Sequence, residues 1–173
     1  MTPAPDALAP GLSVLRETRD EGPLARDETP LAPGIALHAD PALALAGQYR
    51  SPAGRLLELE VTAVQRGGWL ALHVGLIAPS LPLTGWLGFA CASAAAEEMV
   101  IRPCLRSGTG AGFADTFFPR HILAGPEAAS HVDALPLATT PGLPPDAPWR
   151  ELVLFMPTVP LAWHLHDLRL FLT

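Results

Sequence analysis

The chain contains no lysine and no asparagine, and only two cysteines and one tyrosine among its 173 residues. Without asparagine there is no acceptor for N-glycosylation, and tight turns must rely on glycine, aspartate and proline. The basic complement is eleven arginines. With 28 alanines and 29 leucines beside it, the missing lysine reads as GC-rich bacterial codon usage and not as a functional feature. Charge is sparse, at 16% of residues with a net of −6. Scattered arginines on a net-negative chain exclude sequence-independent phosphate binding, which needs clustered cations, so no nucleic-acid partner is expected. No run approaches 18 uninterrupted apolar residues, and no membrane span is expected. The opening Met1-Thr-Pro-Ala-Pro-Asp6 lacks the basic and apolar regions of a secretory signal. A soluble chain is expected, its compartment unassigned: cytoplasmic or part of a larger assembly.

What is present points to strands. Apolar residues make up 49% of the chain, far above what disordered tracts carry, and the length suits one domain with a sizeable core. Twenty prolines argue against long helices, since each interior proline costs a helix about 3 kcal/mol. Residues 1–33 hold Pro3, Pro5, Pro10, Pro23, Pro30 and Pro33 and the charged run Arg16–Glu21. They read as a partly extended arm or linker whose short apolar segment, Leu12–Leu15, could dock as an edge strand. From Gly34 onward short apolar runs recur about every ten residues between Gly/Pro turn signals. Strands are expected at 34–38, 47–50, 55–65, 68–77, 84–92, 98–106, 112–118, 130–137, 149–157 and 161–172. Gln65–Gly68 reads as a tight hairpin, and single helical turns are expected at Asp40–Ala46 and Ala92–Glu97. The architecture implied is all-β: an antiparallel β-sandwich of jelly-roll type over 34–173, preceded by the arm.

Alternation assigns the faces. Leu57, Leu59, Val61 and Ala63 share one side of their strand, opposite Glu58, Glu60 and Thr62. Leu70, Leu72, Val74 and Leu76 oppose Trp69, Ala71, His73 and Gly75; Leu87, Phe89 and Cys91 oppose Thr84, Trp86 and Gly88. Met99, Ile101 and Leu105 oppose Glu98, Arg102 and Arg106. The second side gathers Trp69, Trp86, His73, Arg102, Arg106 and Glu60. Those residue types suit a sugar-binding surface: indole faces stack on pyranose rings, while guanidinium and carboxylate groups bond to hydroxyls.

Other constellations carry less. His164 and His166 form an HxH pair whose rings would point the same way on a regular strand, as in a cupin-like metal site borrowing His121 or His131. A structural role suits the pair better, because the chain ends soon after it. Ser107–Gly112 is glycine-rich but lacks the Lys-Ser/Thr of a phosphate loop, and no GxSxG nucleophile elbow occurs. Asp115, Asp133, Glu151 and Asp167 lie in or beside strands, yet nothing in the sequence pairs two of them as a glycosidase requires. Cys91 and Cys104 lack CxxC spacing, so no zinc site is expected. Their opposite phases predict two free thiols. Cys104, between Arg102 and Arg106, is expected to be the more reactive.

The closing stretch Trp149-Arg-Glu-Leu-Val-Leu-Phe-Met-Pro157, then Leu161-Ala-Trp-His-Leu-His-Asp-Leu-Arg-Leu-Phe-Leu172, resembles the last two strands of jelly-roll carbohydrate-binding modules. Gly68–Gly75 and Gly85–Phe89 are similar in rhythm. The resemblance implies a polysaccharide ligand and no cofactor; the calcium site that such modules often carry has no identifiable ligands here. The expected function is non-catalytic glycan binding, as a module of a carbohydrate-active system or a surface-glycan attachment protein. The alternatives are a structural or assembly protein that docks a protein partner through residues 1–33, and, further off, a small cupin-like metalloenzyme.

Overall fold

Among the described residues, thirteen strands fall into two antiparallel sheets packed face to face. The computed structural model describes residues 6–173; Pro3, Pro5 and most of the opening segment weighed as a signal lie outside the described residues, as does the side chain of Ala63. Strands β1 (Glu21–Pro23), β4 (Ala46–Arg50), β5 (Leu57–Ala63), β13 (Leu161–Leu172), β7 (Trp86–Ala95) and β11 (Ala129–Pro136) form a six-stranded sheet in that order. The second sheet runs β10 (Ile122–Ala124), β8 (Met99–Thr109), β12 (Arg150–Met156), β6 (Leu70–Leu76), β3 (Ile35–Ala39) and β2 (Glu28–Ala32). A seventh strand, β9 (Gly112–Phe117), pairs with the later half of β8. This is the antiparallel sandwich of jelly-roll type that the spacing of short strands predicts.

The inner sides follow the alternation. Leu57, Leu59 and Val61 face Leu70, Leu72, Val74, Leu105, Leu152 and Leu154 across the core, all buried. Each fully buried aliphatic side chain contributes about 1.5–3 kcal/mol. Trp163 is buried among them, its indole nitrogen without a partner among the described residues.

Several connections differ from expectation. β5 and β6 belong to different sheets, so Gln65–Gly68 is a crossover between sheets and not a hairpin. The hairpin is instead the glycine-rich Ser107–Gly112 stretch: Thr109 pairs with Gly112 and leaves Gly110 and Ala111 as a two-residue turn. No helical turn forms at Ala92–Glu97, because β7 continues through Ala95; Pro41–Leu43 does form a single 3₁₀ turn.

The N-terminal residues are partly extended, in β1 and β2, but Pro10–Glu17 is a helix, α1. Proline opens it at the first turn, where the missing N–H costs nothing, so the proline count did not exclude it. Leu12 and Leu15, three residues apart, turn one face of α1 into the core with Ala9, Leu24 and Leu31. Gly11 is required there, since a Cβ would lie 2.2 Å from the Pro33 carbonyl oxygen. Arg16 then clamps the helix to the last strand. It reaches Asp6 (2.9 Å), whose side chain is buried, the Asp167 carboxylate, and the Leu168 carbonyl oxygen (2.6 Å). Ala9, Leu12, Leu15, Leu24 and Leu31 of this segment thus lie in the chain's own core, while Val14 on the opposite side of α1 is exposed.

This placement makes a prediction. Leu12→Ala and Leu15→Ala should each cost about 2–5 kcal/mol of stability in urea unfolding. A free arm would leave the unfolding midpoint unchanged.

Candidate functional site

The register of the seven-stranded sheet stacks its outward residues in rows, successive rows lying about 6.7 Å apart along the strands. The central row reads Phe117, Cys104, Val153, His73 and Ala36 across β9, β8, β12, β6 and β3. On one side of it lie Asp115, Arg106, Glu151 and Gly75, and on the other Arg102, Phe155, Ala71 and His38. Phe113 extends the face at one end, opposite Gly108. Trp149 lies over that same glycine, where a Cβ would come within 2.4 Å of the indole nitrogen. Buried Arg150 next to it donates to the Ala78, Pro144 and Pro145 carbonyls and so anchors the proline-rich loop that carries Trp149. Trp69, in phase with Ala71 and His73, closes the other end and is 41% exposed.

The face is an array of rings and guanidinium groups over a floor of small side chains. Arg106 lies 3.9 Å from the Phe113 ring centroid and forms a two-pronged pair with Asp115, both bonds 2.7 Å. Arg102 lies 4.7 Å from the centroid of Phe117. The Phe117 and Phe155 rings are 6.2 Å apart at 31°, and both Phe113 and Phe117 are solvent-exposed. Toward β3, His73 Nδ1 bonds to the Glu151 carboxylate (2.8 Å) and its ring sits 4.4 Å from that of His38. The hydrogen bond from Arg106 holds the Asp115 carboxyl below the usual range, and the His73 contact does the same for Glu151. Burial, then the neighbouring His73, lowers His38.

The six residues expected to share one surface divide between the sheets. His73, Arg102, Arg106 and Trp69 gather on the face just described, although His73 is only 8% exposed and serves to hold Glu151. Trp86 and Glu60 belong to β7 and β5 of the other sheet. Trp86 is 51% exposed there, so Trp69 and Trp86 lie on opposite sides of the sandwich. Glu60 borders a cleft of about 1300 Å³ at one end of the molecule, lined by Val100, Leu123, Val159 and Leu161 and by no aromatic side chain. Phe113, Phe117, Phe155, Glu151, His38 and Trp149 were missed. The same period-2 alternation applied to 112–118 and 149–157 would have put Phe113, Asp115 and Phe117 on one side, and Trp149, Glu151, Val153 and Phe155 on another.

The histidine pair does not act as a regular strand would have it. The pairing of β13 with β7 slips between Leu165 and Asp167, which sets His166 into a bulge. His164 contacts Arg55 (2.8 Å), whereas His166 Nε2 is buried without a partner among the described residues. His131 packs on Phe89. Among the described residues no three His, Cys, Asp or Glu side chains converge to hold a metal. The convergence of Asp6, Asp167 and the Leu168 carbonyl does not fit a calcium ion, because the Arg16 guanidinium already fills the space.

No protein-family model matches the chain, and no curated protein matches it by sequence. Among solved structures it is similar to the N-terminal cellulose-binding domain of Cellulomonas fimi β-1,4-glucanase C. The TM-score is 0.57 at 14% identity, over 86% of this chain and 93% of that one. It is also similar to the CBM22-1 xylan-binding domain of Paenibacillus barcinonensis Xyn10C, with a TM-score of 0.53 at 8% identity, over 91% of this chain and 90% of that one. The chain has the β-sandwich fold of carbohydrate-binding modules. The likeness of rhythm in the closing strands is therefore borne out at the level of the fold.

Two predictions follow from the electrostatics. Burial holds His38, His131 and His166 below the ordinary histidine value, with smaller contributions from neighbouring cationic groups. Such groups take up their proton more readily when unfolded, so their contribution is full above a pH of about 6.5 and fades as pH falls below it. The depressed Asp115 and Glu151 contribute above the ordinary carboxylate range and lose that contribution as pH falls through it. The Tm should decline in two stages, from near pH 6.5 and again below about pH 4; a constant Tm from pH 7.5 to 5 would contradict this.

The second concerns the thiols. Both cysteines are free and buried. Cys104 is not the reactive one expected. It is 0% exposed between Phe117 and Val153, and burial together with Asp115 outweighs Arg106 and pushes its thiol up to about 12. Thiol titration should find neither cysteine in native protein and two after denaturation. Prompt native reaction of one equivalent would refute the burial of the face's floor.

Proposed function

We propose that this chain is a non-catalytic polysaccharide-binding module whose ligand lies along the outer face of the seven-stranded sheet. The carrying observation is the line of rings from Phe113 and Trp149 through Phe117 and Phe155 to Trp69, all exposed except the half-buried Phe155, interleaved with Arg102, Arg106 and Glu151. Four row spacings separate its ends, about 27 Å of open face, long enough for several sugar rings of an extended chain. Ring faces stack on the apolar faces of pyranoses, and the flanking donors and acceptors take the hydroxyls. The paired Arg106 and Asp115 hold each other still, so little side-chain entropy remains to be lost on binding. The similarity in fold to a cellulose-binding and a xylan-binding domain supports the same reading.

Affinity electrophoresis in gels containing soluble polysaccharides, joined to a glycan array, tests it. Phe117→Ala and Trp69→Ala should each weaken retardation about tenfold, equivalent to about 1.4 kcal/mol. Trp86→Ala, on the opposite side, should leave it unchanged. Absence of binding to every polysaccharide, or a loss confined to Trp86→Ala, would overturn the proposal.

A further inference from the structure

Nine of the eleven arginines donate to a side chain or a backbone carbonyl. Among the described residues, which include all seventeen acids of the chain, Arg66 and Arg102 donate to neither. Arg66 sits in the crossover between β5 and β6. Arg102 is exposed and seated over the Phe117 ring, one strand from Phe155. A guanidinium held by an aromatic face is oriented without use of its N–H groups. Its neighbour Arg106 is the contrast: the same chemistry on the same strand, but closed by the two bonds to Asp115. Of the two histidines on these rows, His73 already faces Glu151 and His38 packs against the His73 ring.

We infer that Arg102 is the seat for a carboxylate on the ligand, and that the polysaccharide recognised contains uronic acid residues. This rests on the polysaccharide-binding reading above and specifies its ligand. The planar fork matches a carboxylate in a two-pronged pair, while the sugar ring bearing it packs against Phe117 and Phe155. The chain's net charge of −6 repels polyanions at long range. Preference therefore comes from this single seat and not from bulk attraction, and a densely sulfated polymer gains nothing from its greater charge.

The test compares polygalacturonate, alginate and glucuronoxylan with their carboxyl-reduced, neutral counterparts, and includes cello- and xylo-oligosaccharides and dextran sulfate. Binding is measured by calorimetry for the unaltered protein, Arg102→Gln and Arg102→Lys. At least one uronate polymer should bind ten times or more tighter than its reduced form. Arg102→Gln should abolish that ratio while leaving affinity for the reduced form unchanged, and Arg102→Lys should restore only part of it. Equal binding of acid and reduced forms, equal weakening of both by Arg102→Gln, or a preference for dextran sulfate overturns the uronate inference alone. Failure of every polymer and oligosaccharide to bind overturns the polysaccharide-binding reading with it.

Discussion

The register among β6, β12 and β8 is the constraint on which the rest depends. Leu72 opposite Leu154, and Val74 and Leu105 on either side of Leu152, lock these three strands through their buried sides. Because side chains alternate with period two, a slip of one residue would send these leucines to solvent and bring Arg106 and Glu151 into the core. Burial of the inner rows therefore fixes the position of every outward residue. The chemistry of the face follows from a packing interaction on its opposite side.

Given that register, the face resolves its charges locally. Arg106 meets Asp115 across β8 and β9, and His73 meets Glu151 across β6 and β12. The first contact closes the β8–β9 hairpin and the second joins strands distant in sequence, and the rings lie between them. The floor of Ala71, Cys104 and Val153 is small enough for the rings to cover it fully. The proposed stacking surface thus stands on sheet strands held by core packing, with little motion left to lose were a ligand to bind there. The clamp of Arg16 on Asp6 and Asp167 does comparable work at the N-terminus, where the chain's own cation joins α1 to β13.

The sandwich was legible because alternation and turn spacing are local. Leu57, Leu59 and Val61, or Leu87 and Phe89, declare their side within one strand. Pairing across the sandwich is not local, and no single strand encodes it. Trp86 and Trp69 have the same phase in their strands, yet β7 and β6 lie in different sheets, and no pattern within either strand records that. Helix α1 was hidden because its proline falls at the one turn that tolerates it. Arg102 and Arg106 flank Cys104 in sequence and suggest a reactive thiol, but its neighbours across the sheet are Phe117 and Val153, which bury it. Of the face itself, Arg102, Arg106, His73 and Trp69 were found; Phe113, Phe117, Phe155 and Glu151 come from strands whose phase was not followed.

The most direct test of the central claim uses the four indole N–H resonances of the protein in a nitrogen–proton correlation spectrum. On titration with an oligosaccharide that binds, Trp69 and Trp149 should shift with the backbone amides of β6, β8, β9 and β12, while Trp86 and buried Trp163 stay in place. Shifts centred on Trp86 with β7 and β11 would instead put the ligand on the six-stranded sheet and contradict the account.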